Sequence, residues 1–274
     1  MATSSIAGGA RRAQDNGGIK VLGRVGMACF GLVYLIVAYL AVQVAVGGGG
    51  QEADQNGALS EIAAKPFGAV LLWALAIGLL AFGVWQLLMA ATSYHWVEEG
   101  AKRTFKRLGA AGRGVVGISL GIASIRMATG SGSQGGDSKQ QEMTGKLLSL
   151  PAGQVIVGVV ALVVIGVGVA SIVSGVRKSF MKDLDTGELP KGSRGWVEKL
   201  GMVGHIAKGV GIGIVGVLLG FAALDSNAGE AGGLDAALRA LAGQPFGTVL
   251  LIVVALGFAA FAAFCLASAK AHRA

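Results

Sequence analysis

The segment ALRALAGQPFG, residues 237–247, decides the fold, because it is one of three similar corners spaced along the chain. A close copy, ALSEIAAKPFG, stands at residues 58–68, and a looser copy, KLLSLPAG, stands at residues 146–153. Leucine and isoleucine recur at helical spacing before each proline, which indicates a short amphipathic helix. Each corner therefore predicts a short helix that turns into a following segment.

The proline of each corner is predicted to lie in the first turn of a second helix. A proline in that position loses no hydrogen bond, because the first N–H groups of a helix have no partner inside it. The corner prolines are Pro66, Pro151 and Pro245, and the fourth proline of the chain is Pro190.

The composition places these corners in a membrane. Apolar residues make up 53% of the chain and charged residues only 14%, whereas a soluble domain has roughly 25% charged residues. A membrane-spanning helix needs about 20 mostly apolar residues. Six stretches meet that length: residues 22–47, 66–92, 108–129, 151–176, 200–224 and 245–269. The sequence therefore predicts an all-α integral membrane protein with six transmembrane helices.

A glycine pattern precedes each corner at a nearly constant distance. LGRVGMACFG begins at Leu22, LGAAGRGVVG at Leu108 and LGMVGHIAKG at Leu200, so all three match L-G-x-x-G-x-x-x-x-G. A corner proline follows each of these leucines 43 to 45 residues later. Internal repetition at a fixed spacing indicates tandem structural units. Each unit is predicted to be a two-helix hairpin whose short helix lies on the outer membrane surface or caps the bundle.

The predicted units divide the chain into three repeats after a short tail. Residues 1–20 form a cytoplasmic tail that is expected to be disordered, and the repeats cover residues 21–93, 107–177 and 199–270. Two spans per repeat give every repeat the same orientation in the membrane. The repeats should therefore be related by a pseudo-three-fold axis along the membrane normal, with the first and sixth helices as neighbours.

The glycines of the pattern fall on one face of each first helix. Glycine lets two helix backbones approach closely within a membrane. The predicted packing glycines are Gly23, Gly26, Gly31, Gly109, Gly112, Gly117, Gly201, Gly204 and Gly209.

The glycine openings and the Pro-Phe-Gly corners resemble those of the domain of unknown function 1206 family of bacterial membrane proteins. The resemblance covers about residues 20–270 and implies a six-helix inner-membrane protein built from three tandem repeats. It implies no established activity, substrate or catalytic residue. The second repeat departs most from the pattern, since SLPAG has no aromatic residue after its proline.

Lysine and arginine set the predicted orientation. Of the 23 Lys and Arg residues, four lie in the outer loops and three deeper inside spans, which leaves 16 for the two tails, the other two connectors and the adjoining start of the first span at Arg24. Basic residues concentrate on the cytoplasmic side of membrane proteins. We expect a multi-pass protein of the bacterial inner (plasma) membrane with both termini in the cytoplasm.

The cytoplasmic connectors also indicate what this face contacts. YHWVEEGAKRTFKR and KGSRGWVEKL interleave Trp96, Phe105 and Trp196 with basic residues. Aromatic and basic residues beside a span favour anchoring on anionic lipid of the cytoplasmic leaflet, with other membrane proteins as the alternative partner. The net charge of +8 is therefore not interpreted as a nucleic-acid-binding signal.

The spans contain no Asp or Glu, which disfavours a proton-coupled or sodium-coupled transporter. Three polar residues are the candidates for a vestibule or an anion-facing surface: Arg113, Lys208 and Gln86. Arg126 lies near the outer end of its span, from which its side chain can extend to the interface.

No catalytic, cofactor or metal motif is recognisable. The chain lacks H-E-x-x-H, C-x-x-C, P-loop and G-x-S-x-G patterns. His95 and His205 lie near cytoplasmic helix ends, so a bis-histidine haem is a further alternative, although a packed histidine is the simpler interpretation. We predict neither a cofactor nor an enzyme.

Two function classes follow. The first is a non-enzymatic structural or accessory bundle that binds other membrane proteins or lipid. The alternative is a pore or facilitator for a small solute or anion along the repeat axis. A tightly packed apolar axis favours the first class, and a wet cavity lined by Arg113, Lys208 or Gln86 favours the second.

Overall fold

The computed structural model describes residues 17–47, 50–92, 101–132, 135–184, 192–269 and 271. Regular structure within them is helical, in nine α-helices: α1 (Gly17–Ala45), α2 (Gln55–Ala63), α3 (Gly68–Thr92), α4 (Ala101–Ala128), α5 (Gly136–Leu148), α6 (Gly153–Val176), α7 (Arg194–Leu224), α8 (Leu234–Ala242) and α9 (Gly247–Ser268). Six of these, α1, α3, α4, α6, α7 and α9, are long and apolar enough to cross a membrane, which confirms the six predicted spans.

Each repeat is a long helix, a short helix and a second long helix. The short helices α2, α5 and α8 lie between the two spans of their repeats, and α5 contacts both α2 and α8 at one end of the bundle. The predicted tail is shorter than expected, because residues 17–20 already belong to α1. Its residues 1–16 lie outside the described residues, as do His95 and Trp96.

The three corners share one turn geometry, which corrects the predicted position of the prolines. The second long helix begins two residues after each proline, so Pro66, Pro151 and Pro245 precede the helix rather than opening it. Each proline is the second residue of a turn that is closed by an N–H donated to the carbonyl three residues earlier, such as Gly68 to Lys65 at 2.8 Å. The third residue, Phe67 in repeat 1, has a φ of +64°, as in a type II turn.

The fourth residue of each corner is a glycine for a steric reason. A Cβ at Gly68 would overlap the carbonyl oxygen of Ile62, and Gly153 and Gly247 meet carbonyl groups in the same way. The corner is therefore built by the sequence Pro-x-Gly, and the aromatic residue between them is optional for the turn. In repeats 1 and 3 that residue is Phe67 or Phe246, and both side chains are exposed.

Packing between the spans follows the glycine pattern. The first two glycines of a motif contact the second span of the same repeat: a Cβ at Gly26 would lie 2.5 Å from Phe82 Cβ, and one at Gly204 would lie 2.5 Å from Phe261 Cα. The last glycine contacts the second span of the preceding repeat, because a Cβ at Gly31 would lie 3.0 Å from Cys265 Cβ. The first and sixth spans, α1 and α9, are thus neighbours, as the hairpin arrangement predicts.

The remaining motif glycines of repeats 1 and 3, and the last motif glycine of repeat 2, follow the same rule. Gly23 faces the Trp85 ring, Gly201 faces Phe180 and Phe264, and Gly117 and Gly209 contact the preceding repeat through α3 and α6. Seven of the nine predicted packing glycines are therefore in close contacts.

The second repeat breaks the rule, and the prediction fails at Gly109 and Gly112. A Cβ at Gly112 would meet nothing within 4 Å, and one at Gly109 would meet only the side chain of Arg113. The physical reason is that α4 and α6 do not pack along each other, whereas the two spans of the other repeats do. The bundle is therefore a ring of six helices in the order α4, α3, α1, α9, α7 and α6, with an opening between its two ends.

The short helices and the residues just before them form a cap at one end of the bundle. Backbone N–H groups of one repeat donate hydrogen bonds to carboxylates of another. The N–H of Ala53 donates to Asp235 at 2.8 Å, the N–H of Gly233 donates to Asp137 at 2.6 Å, and the N–H of Asp137 donates to Glu52 at 3.4 Å. These three bonds link repeat 1 to repeat 3, repeat 3 to repeat 2, and repeat 2 to repeat 1. The cap is a closed cycle even though the spans below it are not.

Candidate functional site

A cavity of about 250 Å³ lies beneath the cap, between side chains of all three repeats. Its walls come from α1, α6, α7 and α9, and its roof from the first residues of α2 and α8. The lining residues are Tyr34, Gln55, Val164, Lys208, Ile212, Val215, Leu234 and Phe258. Lys208 lies one helical turn before Ile212 and supplies the only positive charge among these lining side chains.

The ammonium group of Lys208 is surrounded by aromatic rings. Its Nζ lies 4.8 Å from the ring centre of Phe261, 5.6 Å from that of Tyr34 and 5.7 Å from that of Phe30. Each ring attracts a cation by roughly 0.5 to 2 kcal/mol, depending on exposure. The rings are held by one another, since Tyr34 and Phe261 meet edge to face with centres 4.8 Å apart.

The positive charge of Lys208 has no anionic partner among the described residues. Lys208 forms no ion pair and no hydrogen bond with any of them. The ion pairs among the described residues lie elsewhere, at the short helices and between Lys178 and Glu198. Arg113 on α4 is close enough to repel Lys208 electrostatically. A positive charge with no carboxylate partner among the described residues favours an anion at this place.

The other predicted site residues have different surroundings. Gln86 is buried in α3 one turn after Phe82, and it does not line this cavity. Arg126 is exposed near the end of α4, as expected for a side chain that reaches the interface. Of the three vestibule candidates, the structure therefore places only Lys208 among the lining residues of the cavity.

The cap is connected to the cavity by one hydrogen bond. Gln55, the first residue of α2, donates from Nε2 to the hydroxyl of Tyr34 at 3.3 Å. The preceding residue, Asp54, caps the same helix by accepting the N–H of Gly57 at 2.7 Å. The rings of Phe30, Tyr34 and Phe261 form an aromatic cage around Lys208. This cage is connected through Tyr34 to the first turn of α2.

His205 has a packing role in this structure. Its ring stacks on Phe180 with the ring centres 4.7 Å apart, and its Nδ1 lies 2.8 Å from the carbonyl oxygen of Gly201. Its proposed haem partner, His95, lies outside the described residues. The two cysteines lie in different helix contacts, since Cys29 of α1 faces Gly78 of α3 and Cys265 of α9 faces Gly31 of α1.

Sequence reasoning missed the cage, although the repeat alignment contains a signal for it. Phe30 stands eight residues after Leu22 and Lys208 eight residues after Leu200, so they occupy equivalent positions around the axis. Val164 and Phe258 are equivalent in the same way, because each follows its corner proline by 13 residues. The alignment could not predict the hydrogen bond between Gln55 and Tyr34, since Gln55 lies at the start of a short helix, where the three repeats differ in sequence.

Comparisons with known proteins identify the family. The model of the Domain of Unknown Function (DUF1206) matches residues 25–93, 108–178 and 203–272. A relative, Uncharacterized protein YxxB of Bacillus subtilis (strain 168), is 30% identical over 239 residues, which is 87% of this chain and 86% of the relative. No solved structure matches. Because the family model matches once in each of the three helix–cap–helix repeats, this chain belongs to the DUF1206 family.

Proposed function

We propose that this protein is a non-catalytic membrane protein whose axial cavity binds an anion through Lys208. The observation that carries the proposal is the ammonium group of Lys208, which faces the cavity without a carboxylate partner. An ionisable side chain inside a membrane bundle is costly and marks a functional site by default. A bound anion supplies the missing negative charge, and Arg113 strengthens the attraction.

The same geometry supports binding more strongly than an open pore along the axis. The cap closes the cavity at the outer end through the cycle of hydrogen bonds at Ala53, Gly233 and Asp137. Gln55 and Leu234 form the roof directly. A solute could leave through this end only after the cap opens, so a bound state is the simpler function.

Replacing Lys208 with methionine is the direct test. Met has nearly the shape of Lys and fits the aromatic rings, so we expect the variant to fold and to unfold at the same temperature or higher. We expect at least one of three probe anions, phosphate, sulfate and decanoate, to bind the purified wild-type protein in titration calorimetry. Its dissociation constant should rise at least about tenfold in Lys208→Met, which corresponds to roughly 1.4 kcal/mol.

The matched control is Lys199→Met. Lys199 is another lysine of α7, and its Nζ lies 5.7 Å from the ring centre of Trp196 at the end of the helix. Its loss should leave the binding of every probe unchanged. Binding that is equal in wild type and Lys208→Met for all three anions would overturn the proposed function.

We further propose that the protein lies in the bacterial plasma membrane with the cap outside and both termini in the cytoplasm. The excess of Lys and Arg in the two tails and their connectors supports this orientation. A reporter fused after residue 135 should then be active only outside the cytoplasm, and one fused after residue 185 only inside it. Activity of both fusions on the same side would exclude this topology.

A second candidate function, anchoring on anionic lipid of the cytoplasmic leaflet, is favoured by Trp196. Its side chain is 70% exposed at the start of α7, where an indole ring suits the membrane interface. Lys199 beside it adds a positive charge that anionic lipid attracts. This anchoring accounts for the basic connectors without a nucleic-acid partner, and it is compatible with other membrane proteins as partners.

A further inference from the structure

We propose that the anion bound at Lys208 is the head group of a single-chain amphiphile, which enters from the lipid bilayer through the opening between α4 and α6. This inference rests on the proposed function and adds the ligand class and the route. Three features support it: the missing wall of the cavity, the absence of aromatic residues in the second repeat that accounts for this opening, and the size of the cavity.

The cavity lacks a wall on the side of α4. Its lining side chains come from α1, α6, α7 and α9 and from the two roof helices, and none comes from α3 or α4. The two helices that would close this side, α4 and α6, do not pack along each other. Arg113 belongs to α4, the helix on this open side, and its charge repels that of Lys208.

The opening has a cause in the sequence of the second repeat. In repeats 1 and 3, the residue 16 positions after the corner proline is Phe82 or Phe261, and it fills the notch at Gly26 or Gly204. The equivalent residue of repeat 2 is Val167, whose side chain is 50% exposed. The residue 19 positions after the proline is Trp85 or Phe264 in the other repeats, but Ala170 in repeat 2.

These two replacements leave a passage at the depth of the lysine. Val167 is equivalent to Phe261, whose ring contacts the Lys208 ammonium. On the α6 side the passage is therefore flanked by the small apolar side chains of Val167 and Ala170, while the positive charge of Lys208 lies at its inner end. An anionic head with an apolar tail is complementary to this arrangement, because a free anion would have to cross apolar surface to reach Lys208.

The cavity is too small for a whole amphiphile. Its volume of about 250 Å³ is below the range of roughly 300 to 1,000 Å³ of pockets that enclose drug-sized ligands. A carboxylate or phosphate head with a few methylene groups fits inside, so the rest of the chain must extend through the opening into the lipid. A fatty-acid carboxylate and a phosphate monoester share this chemistry, and the experiment below separates a tailed anion from a free one.

The test closes the opening by restoring the aromatic residues of the other repeats. The probe is a diazirine-bearing palmitate analogue, which is photoactivated in membranes that contain the full-length protein and detected on peptides of α6 and α7. We expect the double variant Val167→Phe/Ala170→Trp to lower the labelling at least about fivefold. Its matched control is Val169→Phe on the far face of α6, where the side chain is 54% exposed, and its labelling should equal that of wild type.

Competition separates the ligand classes. Oleate should suppress labelling at a concentration at least about tenfold lower than either phosphate, which has no tail, or oleyl alcohol, which has no charge. Equal competition by phosphate, or full labelling in the closed double variant, would overturn the amphiphile and leave the anion site standing. Equal competition by oleyl alcohol, with full labelling of Lys208→Met, would overturn the proposed function as well.

Discussion

We expect Gly26→Ala and Gly204→Ala to destabilise the bundle, whereas Gly112→Ala at the equivalent position of the second repeat leaves it intact. A methyl group at Gly26 would lie 2.5 Å from Phe82 Cβ and 2.7 Å from the carbonyl oxygen of Gly78, so α1 and α3 must separate. At Gly204 it would lie 2.5 Å from the backbone of Phe261. Overpacking of this kind costs about 1 to 3 kcal/mol or more.

The measurement is the apparent midpoint of thermal unfolding of the three variants in detergent. A thiol-reactive dye reports it, because Cys29 and Cys265 lie inside spans in helix contacts. We expect the midpoint to fall by about 3 to 10 °C for Gly26→Ala and Gly204→Ala. It should stay the same or rise slightly for Gly112→Ala, because alanine favours a helix over glycine by about 1 kcal/mol.

The outcome at Gly112 is decisive for the shape of the bundle. A loss of stability equal to that at Gly26 and Gly204 would mean that α4 packs on α6 as the other hairpins pack. The opening between them, and with it the proposed route for an amphiphile, would then be wrong. Intact stability at all three positions would instead contradict the close packing of the other two repeats.

The three motifs illustrate how far the sequence predicts the packing. The glycine spacing predicts the contact face of each first span, and in repeats 1 and 3 the structure uses it. The spacing alone fails at Gly112, because a glycine notch needs a residue on the partner helix to fill it. The sequence of the second span identifies this residue: it is Phe82 or Phe261 in repeats 1 and 3, but Val167 in repeat 2. A comparison of both spans in each repeat would have predicted that α4 and α6 do not pack along each other.

The candidate site was predictable in one of its parts. Lys208 was one of three vestibule candidates, with Arg113 and Gln86, because an ionisable or polar residue inside a span needs a partner. The cap could not be predicted in the same way, because its bonds join Ala53 to Asp235 and Gly233 to Asp137, residues far apart in the chain. The corner prolines were misplaced by two residues, because Phe67 adopts a left-handed conformation that is uncommon for a bulky side chain.

The cap should make the stability of the protein depend on pH. Asp54 is only 4% exposed, and its burial raises the pKa of its carboxyl group to about 7, with the negative charges of Glu52, Asp137 and Asp235 adding to the shift. Arg239 offsets only part of this charge, since it pairs with Asp235 at 2.6 Å. Burial also raises the pKa of Asp137.

The direction of the dependence follows from these shifts. In the unfolded chain Asp54 has its ordinary pKa of 3.8, so between about pH 4 and pH 7 the folded protein holds a proton that the unfolded chain releases. The free energy of unfolding must therefore fall as the pH rises through this interval. With about 1.4 kcal/mol for each pKa unit, the loss is about 4 kcal/mol by pH 8.

Asp54→Asn should remove most of this dependence. Asparagine is as good an N-cap as aspartate, so the bond from the N–H of Gly57 is kept while the buried charge is lost. We expect the unfolding midpoint of the variant to match wild type near pH 4 and to exceed it by about 8 to 16 °C at pH 8. The remaining slope belongs to Asp137, whose pKa is raised as well.

Asp225→Asn serves as the control for Asp54→Asn, because it removes an exposed carboxyl group at the end of α7 on the same side of the bundle. Its pH profile should coincide with that of wild type. An Asp54→Asn profile as steep as the wild-type profile would show that the buried charge of Asp54 does not limit the stability of the cap. Because Gln55 joins the cap to Tyr34, the Asp54→Asn variant should also hold the roof of the Lys208 cavity more firmly at pH 8 than the wild-type protein does.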